Sequence, residues 1–164
     1  MHLKFLFFIL FSDRFIKLKI ETKGLNEGQK KYVYDTLMHQ ARTFMETRNY
    51  SKVIVPGMSA FLEFLEALYK TSLVALNLGS LIITLDCRTL RGLDKLWYDY
   101  LCGHLNKVAE LYLVTDQMKK RLYLRKIKFK TTIKEENYLK CKKFLMVCSG
   151  EYKCLFCEVI LCKQ

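Results

Sequence analysis

The chain has 164 residues, 51% of them apolar and 13% aromatic, with one proline and seven glycines, which excludes a disordered or low-complexity protein and leaves room for one packed domain with extensions. Its 28 lysines and arginines outnumber 16 acidic residues, giving a formal net charge of +12. That balance points to an anionic partner (nucleic acid, an acidic protein surface or anionic lipid) unless the lysines only solvate the surface.

The N-terminal Met1-His2-Leu3-Lys4 and the apolar run Phe5 to Phe11 resemble a short signal sequence, but Phe11-Ser12-Asp13-Arg14 offers no small-x-small cleavage site. Seven apolar residues also fall short of the roughly 20 that a membrane-spanning helix needs. Residues 1–13 read as an extension, either an extra strand or helix or a misassigned start, with a signal peptide as the alternative.

From Phe15 to Thr22 apolar and polar residues alternate, which predicts a half-buried strand with Ile16, Leu18 and Ile20 inward and Lys17 and Lys19 outward. Gly24 ends it, and Asn26 three residues before Gln29 can cap a helix running from Gly28 to about Arg48. Asn49 to Gly57 is a connection in which Val53-Ile54-Val55 is a candidate short strand. Ser59 to about Tyr69 is helix-like, and Leu73 to Leu78 reads as a strand leading through Asn77–Ser80 into Leu81–Leu85 as a hairpin. A competing reading carries the helix from Ser59 through Leu78.

The run to Leu113 spaces Leu90, Leu93, Leu96, Trp97, Tyr100, Leu101, His104, Leu105, Val108, Leu111 and Tyr112 as the wide apolar stripe of one long helix. Thr115 to Leu122 adds a short helix, and Lys126-Ile127-Lys128-Phe129-Lys130 alternates as a last strand with its lysines outward. Thr132 and Glu135 form a capping box for a helix through Val147. These intervals fit an α+β two-layer sandwich: a four-stranded antiparallel sheet in ferredoxin-like order with helices packed on one face, spanning residues 14–148. Residues 149–164 form a cysteine-rich tail.

In that arrangement the first and last strands are neighbours, so Lys17, Lys19, Lys126, Lys128 and Lys130 share one sheet face as a candidate partner-binding surface. The alternative is a solvated lysine row that only blocks edge-to-edge aggregation. An RNA-recognition module would need aromatic side chains on its inner strands, where this chain offers Lys17, Lys19, Ile82 and Thr84.

Of seven cysteines, Cys141, Cys148, Cys154, Cys157 and Cys162 crowd the C-terminal end, and an odd count fits free thiols in a reducing cytoplasm. Cys154-Leu155-Phe156-Cys157 is a CxxC, and Cys148 and Cys162 could complete a zinc set, but no second CxxC or neighbouring histidine supports one. A redox pair would need a thioredoxin-like strand before it. His104 sits on or beside the apolar stripe as a packing residue, and His2 and His39 lack matched partners. Walker A, GxGxxG and HExxH patterns are absent, so neither a catalytic residue nor a cofactor or metal site is nominated, and a non-enzymatic protein is expected.

Leu73 to Met146 resembles the N-terminal domain of the TRADD family of TNF-receptor death-domain adaptors and their invertebrate relatives. The resemblance rests on the hairpin ending Leu81-Ile82-Ile83-Thr84-Leu85-Asp86-Cys87, the helix with Leu96-Trp97-Tyr98-Asp99-Tyr100 and Gly103-His104-Leu105, the strand Ile127 to Thr131, and the helix with Glu135-Glu136 and Tyr138-Leu139-Lys140-Cys141. It implies an α/β sandwich that docks signalling proteins, above all TNF-receptor-associated factors, in apoptosis and innate immunity, through the open face of the sheet. That face is lysine-rich here, where the adaptor has aromatic and aliphatic residues on its first strand, so no binding residue carries over. The expected protein is a stand-alone or truncated cytoplasmic interaction module for an acidic surface, with a basic nucleic-acid-binding α+β domain as the alternative.

Overall fold

A computed structural model describes residues 14–47, 57–77 and 81–148. Strand β1 (Phe15–Lys23) buries Ile16, Leu18, Ile20 and Thr22 and turns Lys17 and Lys23 to solvent, as its alternation requires. Helix α1 (Glu27–Thr47) opens on a capping box: Gln29 N donates to Asn26 Oδ1 at 2.9 Å and Asn26 N donates to Gln29 Oε1 at 3.1 Å. There follow α2 (Met58–Tyr69), β2 (Thr71–Asn77), β3 (Ile82–Cys87), α3 (Leu90–Leu101), α4 (His104–Leu113), α5 (Asp116–Leu122), β4 (Lys128–Thr132) and α6 (Glu135–Cys148).

The four strands form one open sheet in the order β2–β3–β1–β4, every neighbouring pair antiparallel. The chain is thus an α+β sandwich in which the first and last strands lie side by side. On the covered face Ile16, Leu18, Ile83, Leu85 and Phe129 meet Phe61, Leu65, Leu96, Leu105 and Ala109 from the helices in a single core. Burying each large side chain stabilises by about 1.5–3 kcal/mol, so this layer supplies most of the driving force. The opposite face is open.

The helix-through-Leu78 alternative is overturned. Lys70 takes the left-handed conformation (φ 54°) and stops α2 at Tyr69. The following residues pair with β3, from Thr71↔Cys87 to Asn77↔Ile82, with a bulge between Leu73 and Ala75. Residues 78–80 of the expected turn lie outside the described residues, as do Val53–Val55, the 1–13 extension and the 149–164 tail.

The expected long helix is two. Gly103 adopts φ 76°, and α3 ends there before α4 begins at His104. The apolar stripe survives the break because Leu93 and Leu96 before it, and Leu105 and Val108 after it, face the same core. His104 falls outside the stripe, exposed at the start of α4. Trp97 stacks on Tyr138 of α6 with ring centroids 4.4 Å apart, so it clamps α3 to the last helix.

Strand β4 begins at Lys128, two residues after the alternation does. Lys128 pairs with Lys23, the end of β1, and Gly24 then turns the chain at φ 71°, leaving Lys126 without a strand opposite. Thr132 remains in β4, and it is Lys134 whose carbonyl accepts Tyr138 N (3.1 Å) in the first turn of α6, displacing the expected capping box.

Candidate binding surface

A sheet offers a partner its edges or its open face. Several stretches of edge are closed by helix side chains that take the place of a neighbouring strand. Along β4, Asn106 Oδ1 accepts from Thr131 N and from Thr131 Oγ1, each at 2.7 Å, and Glu110 Oε1 accepts from Phe129 N at 3.1 Å. Where β4 does not reach along β1, Asn137 of α6 behaves as a surrogate peptide: its Oδ1 accepts from Lys17 N at 2.7 Å and its Nδ2 donates to Phe15 O at 2.8 Å. On β2, Glu66 Oε1 accepts from Leu73 N at 3.2 Å. Backbone donors satisfied in this way leave strand addition at β4 without a template.

With the β4 edge closed, the open face is a surface that a partner can reach, and its β1–β4 half is basic. Antiparallel register sets Lys23 directly opposite Lys128, Glu21 opposite Lys130 and Lys19 opposite Thr132. Glu21 is already engaged by Lys19 on its own strand, Nζ to Oε1 at 2.9 Å. Asp86, the acid toward the other end of β1, is gripped by Arg14, whose Nε donates to Oδ1 at 3.0 Å and whose second nitrogen contacts Oδ2. That hydrogen bond holds the Arg14 guanidinium above its ordinary pKa. Lys17, Lys23, Lys128 and Lys130 have no ion-pair partner among the described residues. Like charges across a strand pair are unfavourable, and Lys23 facing Lys128 raises the potential that an anion would relieve.

Of the five lysines expected on this face, Lys17, Lys19, Lys128 and Lys130 share it. Lys126 is a correction: it lies exposed in the loop ahead of β4 and cannot project from a strand. Lys23 is the member that the sequence reading missed by ending β1 at Thr22; the alternation Lys17, Lys19, Glu21, Lys23 was the signal. The central part of the face carries Ile82 and Thr84, both half-buried, beside Lys19 and Lys17.

Other chemistry is dispersed. No three His, Cys, Asp or Glu side chains gather as metal ligands among the described residues. Cys87 and Cys141 are buried, and the contact between them together with burial pushes the Cys87 thiol up, away from the reactive thiolate. Cys141 Sγ donates to Arg14 O at 3.1 Å, tying α6 to the start of β1. Cys154, Cys157 and Cys162 lie outside the described residues. No helix among the described residues is long and apolar enough to cross a membrane. Comparison with protein-family models, curated proteins and solved structures finds no match for this chain.

Proposed function

We propose that the chain is a non-enzymatic protein-interaction module of the TRADD N-terminal type, acting as a cytoplasmic adaptor in apoptotic or innate-immune signalling. It binds an acidic protein surface through the β1–β4 half of its open sheet face. The observation that carries this is the row Lys17, Lys23, Lys128 and Lys130, exposed and unpaired, with Lys23 and Lys128 opposed and both nearby acids occupied. Read from its other edge, the strand order is β4–β1–β3–β2, which supports the ferredoxin-like order expected from the spacing of the elements. The side-chain closure of β4 supports docking on the face over docking by strand addition.

The test is biolayer interferometry against purified TNF-receptor-associated-factor domains with the wild-type chain and a Lys17→Glu/Lys23→Glu/Lys128→Glu/Lys130→Glu variant. Electrostatic steering of this kind changes association by about 10- to 1,000-fold, so a loss of about a hundredfold is expected at low salt, with an unchanged melting temperature. A variant that binds as the wild type does removes the face from the interaction.

A nucleic-acid reading has support elsewhere on the molecule, at the corner between α5 and β4, where an exposed aromatic ring stands among cations.

A further inference from the structure

Helix α5 ends on a residue that neither its backbone nor its surroundings favour. Tyr123 occupies the left-handed position (φ 55°, ψ 35°) of a Schellman turn, in which Leu124 N donates to Lys119 O at 3.0 Å and Tyr123 N to Lys120 O at 3.3 Å. Glycine is the usual occupant there, because a Cβ is strained in this conformation. Tyr123 is also 96% exposed, more than any other large hydrophobic residue among the described residues. Packing does not explain a tyrosine here, and backbone geometry opposes it.

The surroundings are cationic. Tyr123, Lys120, Arg121 and Gln117 line a shallow groove of about 630 Å³. Arg125 and Lys126 follow, both exposed, and β4 continues with Lys128 and Lys130. Lys119 is committed to Asp116 at 2.9 Å, whereas the other six have no ion-pair partner among the described residues. Lysines in the last turn of α5 offset the helix dipole, which accounts for Lys119 to Arg121. It accounts for neither Arg125 and Lys126 nor the bare ring.

We infer that this corner binds single-stranded nucleic acid: a base stacks on the Tyr123 ring, and the backbone phosphates run past Lys120, Arg121, Arg125 and Lys126 toward Lys128 and Lys130. A ring that is exposed on its faces and set among cations matches a strand whose bases are unstacked and whose charge is regularly spaced. A duplex hides its base faces, and an acidic peptide would use the cations and leave the ring idle. The inference goes beyond the adaptor reading and stands on different residues, sharing only Lys128 and Lys130 with the docking face.

Fluorescence anisotropy tests it, using the full chain and labelled oligothymidylate and oligouridylate of about 12 nucleotides, within the usual site size of such proteins. The expected result is binding whose log affinity falls linearly with log salt. Tyr123→Phe keeps the affinity within about twofold, and Tyr123→Gly loses about tenfold, the order of one stacked base. The melting temperature of Tyr123→Gly stays at or above that of the wild type, which separates lost stacking from lost fold. Arg125→Gln/Lys126→Gln lowers the salt slope by about 1.4, two phosphate contacts on a single strand. The inference is overturned if Tyr123→Gly binds as the wild type does. It is equally overturned if a duplex of the same length binds as tightly as the oligonucleotides, or if Tyr123→Gly weakens binding of an oligoglutamate peptide as much as it weakens binding of the oligonucleotides.

Discussion

Two tyrosines stand at the C-terminal ends of two helices, and they differ in nearly everything else. Tyr69 is the last residue of α2, and the left-handed position after it belongs to an exposed lysine, Lys70 (φ 54°). Tyr123 takes the left-handed position after α5 itself (φ 55°). Tyr69 is 0% exposed, donates its hydroxyl to Asp99 Oδ2 at 2.8 Å and meets the edge of Phe64, with ring centroids 6.1 Å apart. Tyr123 is 96% exposed. The fold accounts for every part of the first ring and no part of the second. A surface with a cost but no structural return is where a partner is to be sought.

The α2–α3 junction around Tyr69 can be broken with one methyl group. A Cβ on Gly92 would lie 2.1 Å from the Tyr69 carbonyl oxygen, a backbone atom that can yield only if the two helices separate. Gly92→Ala gains about 1 kcal/mol of helix propensity and is still expected to destabilise by about 3 kcal/mol net, since overpacking forces the backbone to move. Urea denaturation followed by circular dichroism measures it. A neutral result would mean that the junction is loosely packed and that the contrast with Tyr123 is overstated.

Tyr69→Phe asks about the hydroxyl alone. Asp99 is 6% exposed, and without Tyr69 its nearest charged neighbour is Lys95 at 3.4 Å. Losing a hydrogen bond to a buried charge costs about 2 kcal/mol. The same bond gives a pH signature. Burial, and then the bond to Asp99, raise the Tyr69 phenol above its ordinary value. A folded-state pKa above the unfolded one contributes stability that is complete below the unfolded value, about 10, and is lost as pH climbs beyond it. Wild-type stability is therefore expected to fall from about pH 10 upward more steeply than that of Tyr69→Phe. Parallel slopes for the two proteins would show that the phenol is not held in its neutral form.

What the sequence disclosed follows the range over which each feature is encoded. The β1 alternation, the Asn26–Gln29 box and the covered face of the sheet depend on neighbours within a few residues, and the structure has them as read. The break at Gly103 was hidden because the apolar spacing runs on through it. Lys126 was misplaced because its own alternation is sound, while the start of β4 is decided by where β1 stops, about a hundred positions away in the chain. The closure of the strand edges by Asn106 and Asn137 is likewise non-local: the bond from Asn137 to Phe15 spans 122 residues. Tyr123 left a trace in the run Lys119-Lys120-Arg121-Leu122-Tyr123-Leu124-Arg125-Lys126, an aromatic within a basic stretch. Its exposure and backbone angle carry no pattern of their own.

The smallest expected effect sets the two left-handed positions side by side. Lys70 and Tyr123 share a left-handed backbone, so glycine at either position removes the same strain, offset by the greater freedom glycine gives the unfolded chain. Lys70→Gly and Tyr123→Gly are each expected to stabilise by about 0.5–1 kcal/mol in matched thermal melts. Equal gains would establish that the Tyr123 ring contributes nothing to the fold. A loss of stability in Tyr123→Gly alone would mean that the ring makes contacts its exposure denies. The two tyrosines would then belong to one structural class, and the corner between α5 and β4 would lose its claim as a site.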